Sequence, residues 1–208
     1  MAFAEPGLID MIMRLRSRGI SDINVLRAME QIPRSVFVID ALKMRSYDEC
    51  EIPIACGQNL LSPLTTAILC QTLEVSPEHK VLQIGTGSGY STAVLAKLCK
   101  RVYGVERYKT LCEDAECHMK ALVNNTVLRH GDGRFGWRGQ APFDRILISA
   151  SVRMFPSALL DQLTDGGRLI AVVDGQLSIA MRKNGKIQEK TIMPMKIPAL
   201  EPGKSKAL

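Results

Sequence analysis

The sequence contains no long apolar run, no internal repeat and no low-complexity segment. Without an apolar run long enough to cross a bilayer, we expect no membrane-spanning helix. The first twenty residues carry acidic and basic side chains throughout, which argues against the uninterrupted apolar stretch of a signal peptide. These absences favour a cytoplasmic protein that does not act at a membrane.

Cysteine pairs with metal-binding spacing are also missing. The six cysteines form no Cys-x-x-Cys pair, and the three histidines lie in different kinds of segment. An extracellular disulfide framework is not expected at this length. We therefore expect reduced, mostly buried thiols and no metal site.

No strong clustering of charge is present, although the formal net charge is +6 and the pI is near 9.1. Lysine and arginine are spread along the chain, and the one local excess is the C-terminal segment KSKAL. This distribution favours a solvated surface over a nucleic-acid-binding face. Few exposed apolar segments are apparent, so a monomer is the default expectation.

What is present divides into two segments of different character. Residues 1–75 are predicted to form a helical N-terminal extension with loops. Residues 76–208 are predicted to form the core, in which strands alternate with helices from residue 80. Two alternating runs joined by Asn184-Gly185 predict a C-terminal hairpin. The expected fold is α/β and doubly wound, with a mostly parallel, Rossmann-like sheet of seven strands that ends in an antiparallel pair.

The stretch VLQIGTGSGYST, residues 81–92, joins an apolar strand to a helix through three alternating glycines. Gly85, Gly87 and Gly89 permit positive φ and the close approach of another group to the backbone. In a parallel sheet this turn lies beyond the carboxyl ends of the strands, where ligands bind. The spacing differs from the G-x-G-x-x-G of dinucleotide-binding folds, and Tyr90 stands where their third glycine would be.

Two acidic residues follow the next two strands. Glu106 comes 21 positions after Gly85 (106 − 85), where an acid can accept both hydroxyls of a ribose. Asp132 emerges at the same edge and is placed to accept a hydrogen bond from an adenine amine. A nucleoside cofactor without a pyrophosphate suits this pattern, and S-adenosyl-L-methionine is the clearest candidate. The plain alternatives are a packing turn at the glycines and an Asp-Gly turn at Asp132.

Other classes of function fit less well. A nicotinamide oxidoreductase is disfavoured by Tyr90 and by the lack of an evident basic or Tyr-Lys catalytic group. A non-enzymatic interaction protein would not need both Glu106 and Asp132 at strand ends.

Nearly the whole chain resembles the protein-L-isoaspartate O-methyltransferases, which are class I methyltransferases. VLRAMEQIPRSVFV is similar to the N-terminal helix and Pro-Arg turn of that family, and SYDECEIPIACGQNLLSP to its substrate-side loop. GDGRFGWRGQAPFDRI agrees closely with its long signature. That signature is far more specific than any glycine turn.

The resemblance implies an enzyme that transfers the methyl group of S-adenosyl-L-methionine to the α-carboxylate of L-isoaspartyl residues in damaged proteins. The ester then closes to a succinimide, which can reopen to normal aspartate. A carboxylate is already a nucleophile and a sulfonium already a good leaving group. The protein therefore has to align the reactants and remove water, and no general base is required. The implied partners are isoaspartyl-containing proteins and peptides, not nucleic acid or membrane.

The resemblance also implies which residues form the site. Glycines 85, 87 and 89 would wrap the methionine part of the cofactor, Glu106 would hold the ribose, and Asp132 with Gly133 would lie by the adenine. The loop 54–63 would cover the methyl group and receive the substrate. The predicted cofactor-binding residues are Gln83, Gly85, Thr86, Gly87, Ser88, Gly89, Glu106, Arg107, Asp132 and Gly133. The predicted catalytic residues are Asn59, Leu61 and Ser62.

The chain departs from the family pattern in its substrate loop. The family typically has Gly-Gln-Thr-Ile-Ser-x-Pro, whereas GQNLLSP has Asn59 at the threonine position and Leu61 at the serine position. The serine hydroxyl is expected to contact the substrate carboxylate, and leucine cannot donate a hydrogen bond. Losing a donor to a charged group costs about 1.5–3 kcal/mol. Ser62 is adjacent, but we expect it to cap the following helix.

Two further departures lie elsewhere in the site. Gln83 replaces the usual acid before the glycines, which predicts weaker cofactor binding. Arg153 and Met154 stand where the family favours proline and an acid, and we interpret Arg153 as a surface residue. Two functions remain open: a repair enzyme with reduced activity, or a divergent paralogue that binds S-adenosyl-L-methionine but methylates another acceptor or has lost repair.

Overall fold

The computed structural model of the chain describes residues 7–205. Its α-helices are α1 (Leu8–Ser17), α2 (Ile23–Gln31), α3 (Pro63–Leu73), α4 (Tyr90–Leu98), α5 (Lys109–Met119) and α6 (Ser157–Leu160). Its strands are β1 (Ile52–Pro53), β2 (Asn59–Leu60), β3 (Lys80–Ile84), β4 (Arg101–Glu106), β5 (Thr126–His130), β6 (Phe143–Val152), β7 (Leu163–Val173), β8 (Gln176–Lys183) and β9 (Lys186–Pro194). Residues 1–6 and 206–208 lie outside the described residues. The predicted segments 1–75 and 76–208 and the C-terminal segment KSKAL are therefore described only in part.

Strands β3 to β9 form one seven-stranded sheet in the order β5-β4-β3-β6-β7-β8-β9. Neighbours from β5 to β7 are parallel, whereas β8 pairs antiparallel with both β7 and β9. The turn between β8 and β9 is Asn184-Gly185, with φ of 52° and 74°. Positive φ at both central residues suits the right-handed twist of a hairpin. The predicted mostly parallel sheet with an antiparallel end is confirmed.

Helices α2 and α3 begin at the cap residues that the sequence signals predict. The Asp22 carboxylate accepts hydrogen bonds from two amides in the first turn of α2. Ser62 caps α3, and Pro63 occupies its first position, where a missing N–H costs nothing. Within residues 7–205, no helix is long and apolar enough to span a membrane.

The two faces of the sheet are covered unequally. The buried side chains of α1 to α4, with Ala115 and Met119 of α5, pack in one hydrophobic cluster that includes Val81 and Val102 of the sheet. The other face packs on Phe155, Leu159 and neighbouring side chains. The helix expected from PSALLDQL is only four residues long, Ser157–Leu160, because β7 already begins at Leu163.

Between β5 and β6 the second face carries two short 3₁₀ turns, Gly133–Phe135 and Arg138–Gln140. Four glycines and a proline within residues 131–142 disfavour a regular helix there. The polypeptide therefore passes close over the sheet at this point, and it places Gly133 beside the carboxyl edge of β3 and β4.

Candidate active site

A cavity of about 890 Å³, including its open mouth, lies at the carboxyl edge of the parallel strands. Ligands bind at this edge in open α/β sheets. Its walls come from the β3–α4 turn, the ends of β4 and β6, the substrate loop and residues 198–201. Of the predicted residues it includes Asn59, Leu61, Gly85, Thr86, Gly87, Ser88, Glu106, Arg107 and Gly133.

The β3–α4 turn needs its glycines for two separate reasons. Gly85, Gly87 and Gly89 all have positive φ, at 78°, 55° and 99°. A Cβ on Gly89 would also lie 3.0 Å from the Ala115 Cβ, so this glycine lets α4 pack closely on α5. Tyr90 follows with its ring fully buried against Phe37 and Arg34, and it is not part of the cavity wall. The residue in place of a dinucleotide glycine therefore does not block the site.

Glu106 is the acid of the cavity and is held by the backbone. Its Oε2 accepts a hydrogen bond from the Gly87 amide at 2.9 Å, and its Oε1 accepts one from the Tyr108 amide at 3.1 Å. The side chain is only 4% exposed, and this burial raises the pKa of Glu106, an effect that its backbone hydrogen bonds oppose. A carboxylate has about four acceptor positions, so two remain for the hydroxyls of a ligand.

Gln83 lies just behind the cavity and joins two of its walls. Its Nε2 donates to Ser91 Oγ at 2.7 Å and to Ser149 Oγ at 3.1 Å. Gln83 Oε1, Thr86 Oγ1 and Ser88 Oγ are buried without a hydrogen-bond partner in the part of the chain that the structure describes. Buried polar atoms normally have partners, and Thr86 and Ser88 line the cavity, so their hydroxyls fit a ligand that carries hydrogen-bonding groups.

Asp132 makes contacts other than those expected from the sequence. Its carboxylate pairs with Arg134 at 2.7 Å and accepts a hydrogen bond from the Gly203 amide at 2.9 Å. The Arg134 hydrogen bond is the main reason that the pKa of Asp132 lies below its usual range. Gly133 lines the cavity and Asp132 does not, so a role for Asp132 at the adenine stays a prediction.

The substrate loop approaches the glycine turn from the opposite side. Strands β1 and β2 pair antiparallel and bring Ile54 and Leu61 to the cavity. A Cβ on Gly87 would lie 3.5 Å from Ile54 Cδ1, which is an ordinary van der Waals distance. The turn and the loop therefore approach each other closely at this point. Asn59 lines the cavity, but its exposed side-chain amide donates to Glu51 at 3.2 Å. Ser62 is not on the cavity wall, because its hydroxyl accepts from the Thr65 amide as a helix cap.

Arg34 is a buried cation behind this loop. It is 0% exposed, its Nη2 donates to the Leu61 carbonyl at 2.5 Å, and its guanidinium lies 4.8 Å from the centre of the Tyr90 ring. Burial lowers the pKa of Arg34. Its Nε and Nη1 have no partner among the described residues. The Pro-Arg turn of the sequence thus holds the backbone of the substrate loop.

The C-terminal strap, residues 197–205, crosses the mouth of the cavity. The Ser151 amide donates to the Pro198 carbonyl at 2.7 Å, and the Ser151 carbonyl accepts from the Leu200 amide at 2.8 Å. Further along, the Arg107 side chain donates to the carbonyls of Pro202 and Gly203 at 3.2 and 3.3 Å. Residues 198–201 line the cavity. Arg107 therefore reaches the site as predicted, with its side chain bound to the strap.

Sequence reasoning missed several cavity residues. Ser149 lies near the carboxyl end of β6, and the rule that ligands bind at that edge could have found it. Thr66 and Ser91 lie in the first turns of α3 and α4, where no motif marks them. The strap carries no local signal, because its place depends on contacts with residues about 50 to 100 positions away.

Arg153 and Met154 lie exposed beside a shallow groove next to the strap, in agreement with the surface interpretation of Arg153. All six cysteines are unpaired. Within the described range 7–205, no group of three His, Cys, Asp or Glu side chains is placed to hold a metal ion.

The strand order and the cavity define a Rossmann-like methyltransferase fold. The family described as protein-L-isoaspartate(D-aspartate) O-methyltransferase (PCMT) matches residues 8–200. The chain belongs to this family.

Curated relatives agree over most or all of the chain. A protein-L-isoaspartate O-methyltransferase of Maricaulis maris is 42% identical, and the match covers 100% of both chains. One of Paramagnetospirillum magneticum is 46% identical over 82% of this chain and 80% of its own.

A solved structure of similar fold is a protein-L-isoaspartate O-methyltransferase of Plasmodium falciparum in complex with S-adenosyl-L-homocysteine. It has a TM-score of 0.82 and 24% identity, and the match covers 92% of this chain and 97% of that one.

Proposed function

We propose that this chain is an S-adenosyl-L-methionine-dependent methyltransferase that acts on the α-carboxylate of L-isoaspartyl residues in damaged proteins and peptides. The observation that carries this proposal is the cavity itself. A glycine turn and a fixed carboxylate form one side of it, and the family's substrate loop forms the other. Both curated relatives named above carry this activity in their names, and nothing favours the alternative of a divergent paralogue.

The residues present fit S-adenosyl-L-methionine. Glu106 has acceptor positions for the ribose hydroxyls, and Gln83 Oε1 is an unpartnered acceptor for the ammonium group. The hydroxyls of Thr86 and Ser88 are unpartnered in the same turn. The Plasmodium relative was crystallised with S-adenosyl-L-homocysteine, which supports the same assignment here.

When bound, S-adenosyl-L-methionine supplies a methyl group whose bond to sulfur breaks as the bond to oxygen forms, with the electron pair passing to sulfur. The protein has no proton to move in this step. Its contribution is to hold the carboxylate in line and keep water away, which can be worth about 7–11 kcal/mol. Leu60 and Leu61 of the substrate loop, with Leu200 of the strap, give the cavity apolar walls that exclude water.

Both predicted segments contribute to this one site. We propose that residues 76–208 hold the cofactor and that residues 1–75 receive the substrate. We also propose that the protein works as a monomer in the cytoplasm. Because its basic residues are spread along the chain, we propose that it does not bind nucleic acid. The ester product would close to a succinimide, so the activity serves protein repair.

The decisive experiment is transfer of a labelled methyl group to an isoaspartyl peptide, with the same peptide containing normal aspartate as control. We expect transfer to the isoaspartyl form alone. Calorimetry with S-adenosylhomocysteine and with NAD separates the cofactor classes. Binding of NAD alone would contradict the proposal, and so would good S-adenosylhomocysteine binding without transfer to the peptide.

A further inference from the structure

One wall of the cavity is formed by the end of the substrate loop and the first turns of α3. Leu60, Leu61 and Thr66 lie on this wall. Thr66 is 1% exposed, and its amide donates to the Ser62 carbonyl at 3.0 Å, so it lies one helical turn beyond the cap. Because the two leucines have no polar side-chain atoms, Thr66 brings a hydroxyl to this wall.

The Thr66 hydroxyl is free for a ligand. The neighbouring cap uses other atoms, since Ser62 Oγ accepts from the Thr65 amide and lies 3.1 Å from the Thr65 hydroxyl. Among residues 7–205, no protein group forms a hydrogen bond with the Thr66 hydroxyl. A buried hydroxyl facing a cavity normally meets a partner there.

The other cavity hydroxyls belong to the opposite side of the site. Ser91 and Ser149 both accept from Gln83 Nε2 behind the glycine turn. Thr86 and Ser88 are members of the turn itself, and the Tyr108 hydroxyl, after β4, accepts a hydrogen bond from Arg107. Thr66 therefore stands apart from them, on the substrate-loop side of the cavity.

A buried cation lies behind the Leu61–Thr66 wall. The guanidinium of Arg34 contacts the Leu61 carbonyl, and in the described part of the chain no carboxylate lies within 4.0 Å of it as an ion pair. The Glu49 carboxylate, which accepts a hydrogen bond from the Leu64 amide at the start of α3, interacts with Arg34 at longer range. Arg34 therefore fixes the backbone of this wall beside Thr66.

We propose that the Thr66 hydroxyl donates a hydrogen bond to the isoaspartyl α-carboxylate, and so supplies the donor that Leu61 cannot. This inference rests on the proposed function and identifies how the same site holds its substrate. The hydrogen bond fixes one carboxylate oxygen and leaves the other to accept the methyl group. Thr66 keeps its proton throughout, so its role is orientation and charge stabilisation.

The first test compares Thr66→Val with Thr66→Ser in the full chain, measured as kcat/KM for an isoaspartyl peptide. The valine variant keeps the shape but lacks the donor, and we expect its kcat/KM to fall about tenfold to hundredfold. The serine variant should stay within about threefold of wild type, since it keeps the hydroxyl. Thr65→Val is the matched control, because the Thr65 hydroxyl lies at the helix cap, and its kcat/KM should not change. If Thr66→Val matches wild type, the proposal is overturned.

The second test asks whether residues 61 and 66 share one role. Leu61→Ser introduces a second donor, so Thr66→Val should cost much less in that background than in wild type. An equal cost in both backgrounds would show that Thr66 does not replace the missing hydroxyl, and would overturn the proposal. S-adenosylhomocysteine affinity and the melting temperature are measured for every variant. If Thr66→Val loses either, Thr66→Ala against Thr66→Ser makes the same comparison.

The two proposals fail in different ways. A wild-type protein that binds S-adenosylhomocysteine but does not methylate the isoaspartyl peptide overturns the proposed function, and the Thr66 assignment with it. A wild-type protein that methylates the peptide, together with a fully active Thr66→Val variant, overturns the Thr66 assignment alone.

Discussion

At the scale of single residues, Glu106 combines two tasks. Its carboxylate fixes the glycine turn through the Gly87 amide, and its remaining acceptor positions face the cavity. The backbone hydrogen bonds offset part of the cost of burying a charge. We therefore propose that the same residue stabilises the turn and binds the ribose of the cofactor.

Glu106 predicts how cofactor affinity depends on pH. Burial raises the pKa of Glu106, so the carboxylate takes up its proton at a higher pH than an exposed glutamate does. Only the charged form accepts hydrogen bonds at both oxygens, so affinity for S-adenosylhomocysteine should fall as the pH drops through the raised pKa. The free energy of unfolding depends on pH in the opposite sense. Because the raised pKa means that the folded state binds this proton more tightly than the unfolded state does, stability rises as the pH falls through that range.

Calorimetric titrations at several pH values test this dependence on Glu106. Glu106→Gln should bind S-adenosylhomocysteine about tenfold to hundredfold more weakly at neutral pH, because it loses a charged acceptor. It should also lose the acidic fall in affinity. A variant that keeps the wild-type pH profile would contradict the assignment of that fall to Glu106.

Arg34 predicts a loss of activity without a matching loss of stability. Arg34→Met removes the donor to the Leu61 carbonyl, which costs stability, but it also removes a desolvated cation and fills a similar volume with apolar atoms, which offsets that loss. We expect kcat/KM for the isoaspartyl peptide to fall about tenfold. Urea unfolding should change by less than about 1.5 kcal/mol. A large drop in stability with unchanged kcat/KM per folded molecule would contradict a role in positioning the loop.

Individual residues differ in how far the sequence could place them. Gly85 and Glu106 line the cavity because each follows a strand whose end the fold rule puts at the ligand-binding edge, and their contact with a cofactor stays a prediction. Asp132 follows the same rule, yet its carboxylate binds Arg134 and the strap, which no local pattern reveals. Thr66 was missed because its relation to Leu61 depends on where the loop folds.

At the scale of elements, Ser62 separates a structural role from a catalytic one. Ser62→Ala removes the cap of α3, which typically costs about 1 kcal/mol. Urea unfolding should show this loss, while kcat/KM for the isoaspartyl peptide stays near wild type. A hundredfold loss of activity with unchanged stability would restore Ser62 as a catalytic residue.

The C-terminal strap predicts the lifetime of the bound cofactor. A chain that ends at Leu200 loses Glu201, the hydrogen bonds that Arg107 donates to the carbonyls of Pro202 and Gly203, and the one that the Gly203 amide donates to Asp132. At about 0.5–1.5 kcal/mol for each hydrogen bond, we expect S-adenosylhomocysteine to dissociate at least about tenfold faster. Surface plasmon resonance measures this rate.

Lys204→Ala is the control for the shortened chain, because Lys204 is exposed and outside the cavity. Its dissociation rate should equal that of wild type. An unchanged rate in the chain that ends at Leu200 would show that the strap does not retain the cofactor.

Elements were predicted better than the contacts between them. Alternating apolar runs with Gly, Pro and Asn-Gly boundaries marked the strands and most helices, because those signals are local. The length of α6 was not anticipated, because it is set by how little chain is needed to reach β7. The two 3₁₀ turns between β5 and β6 were not anticipated either.

At the scale of the whole molecule, the cavity joins the N-terminal helices, the sheet and the strap, so a ligand should stabilise the entire fold. At a concentration 100 times its Kd, S-adenosylhomocysteine should add about 2.7 kcal/mol to the free energy of unfolding. In a chain of this size that raises the Tm by roughly 5–10 °C. Differential scanning calorimetry should show this rise with S-adenosylhomocysteine and none with NAD. A rise with NAD alone would contradict the assigned cofactor.

Because the two faces of the sheet are covered unequally, inserted residues should be tolerated on one side of the molecule. Helices α1 to α5 share a single packed cluster, so added chain between them would disturb the core. The Arg138–Gln140 turn on the other side contributes no residue to the cavity, and a Cβ on Gly139 would meet no other atom within 4 Å. Loop tips of this kind tolerate insertions best. A reporter peptide or an affinity tag spliced into this turn would leave both substrate recognition and the core packing undisturbed.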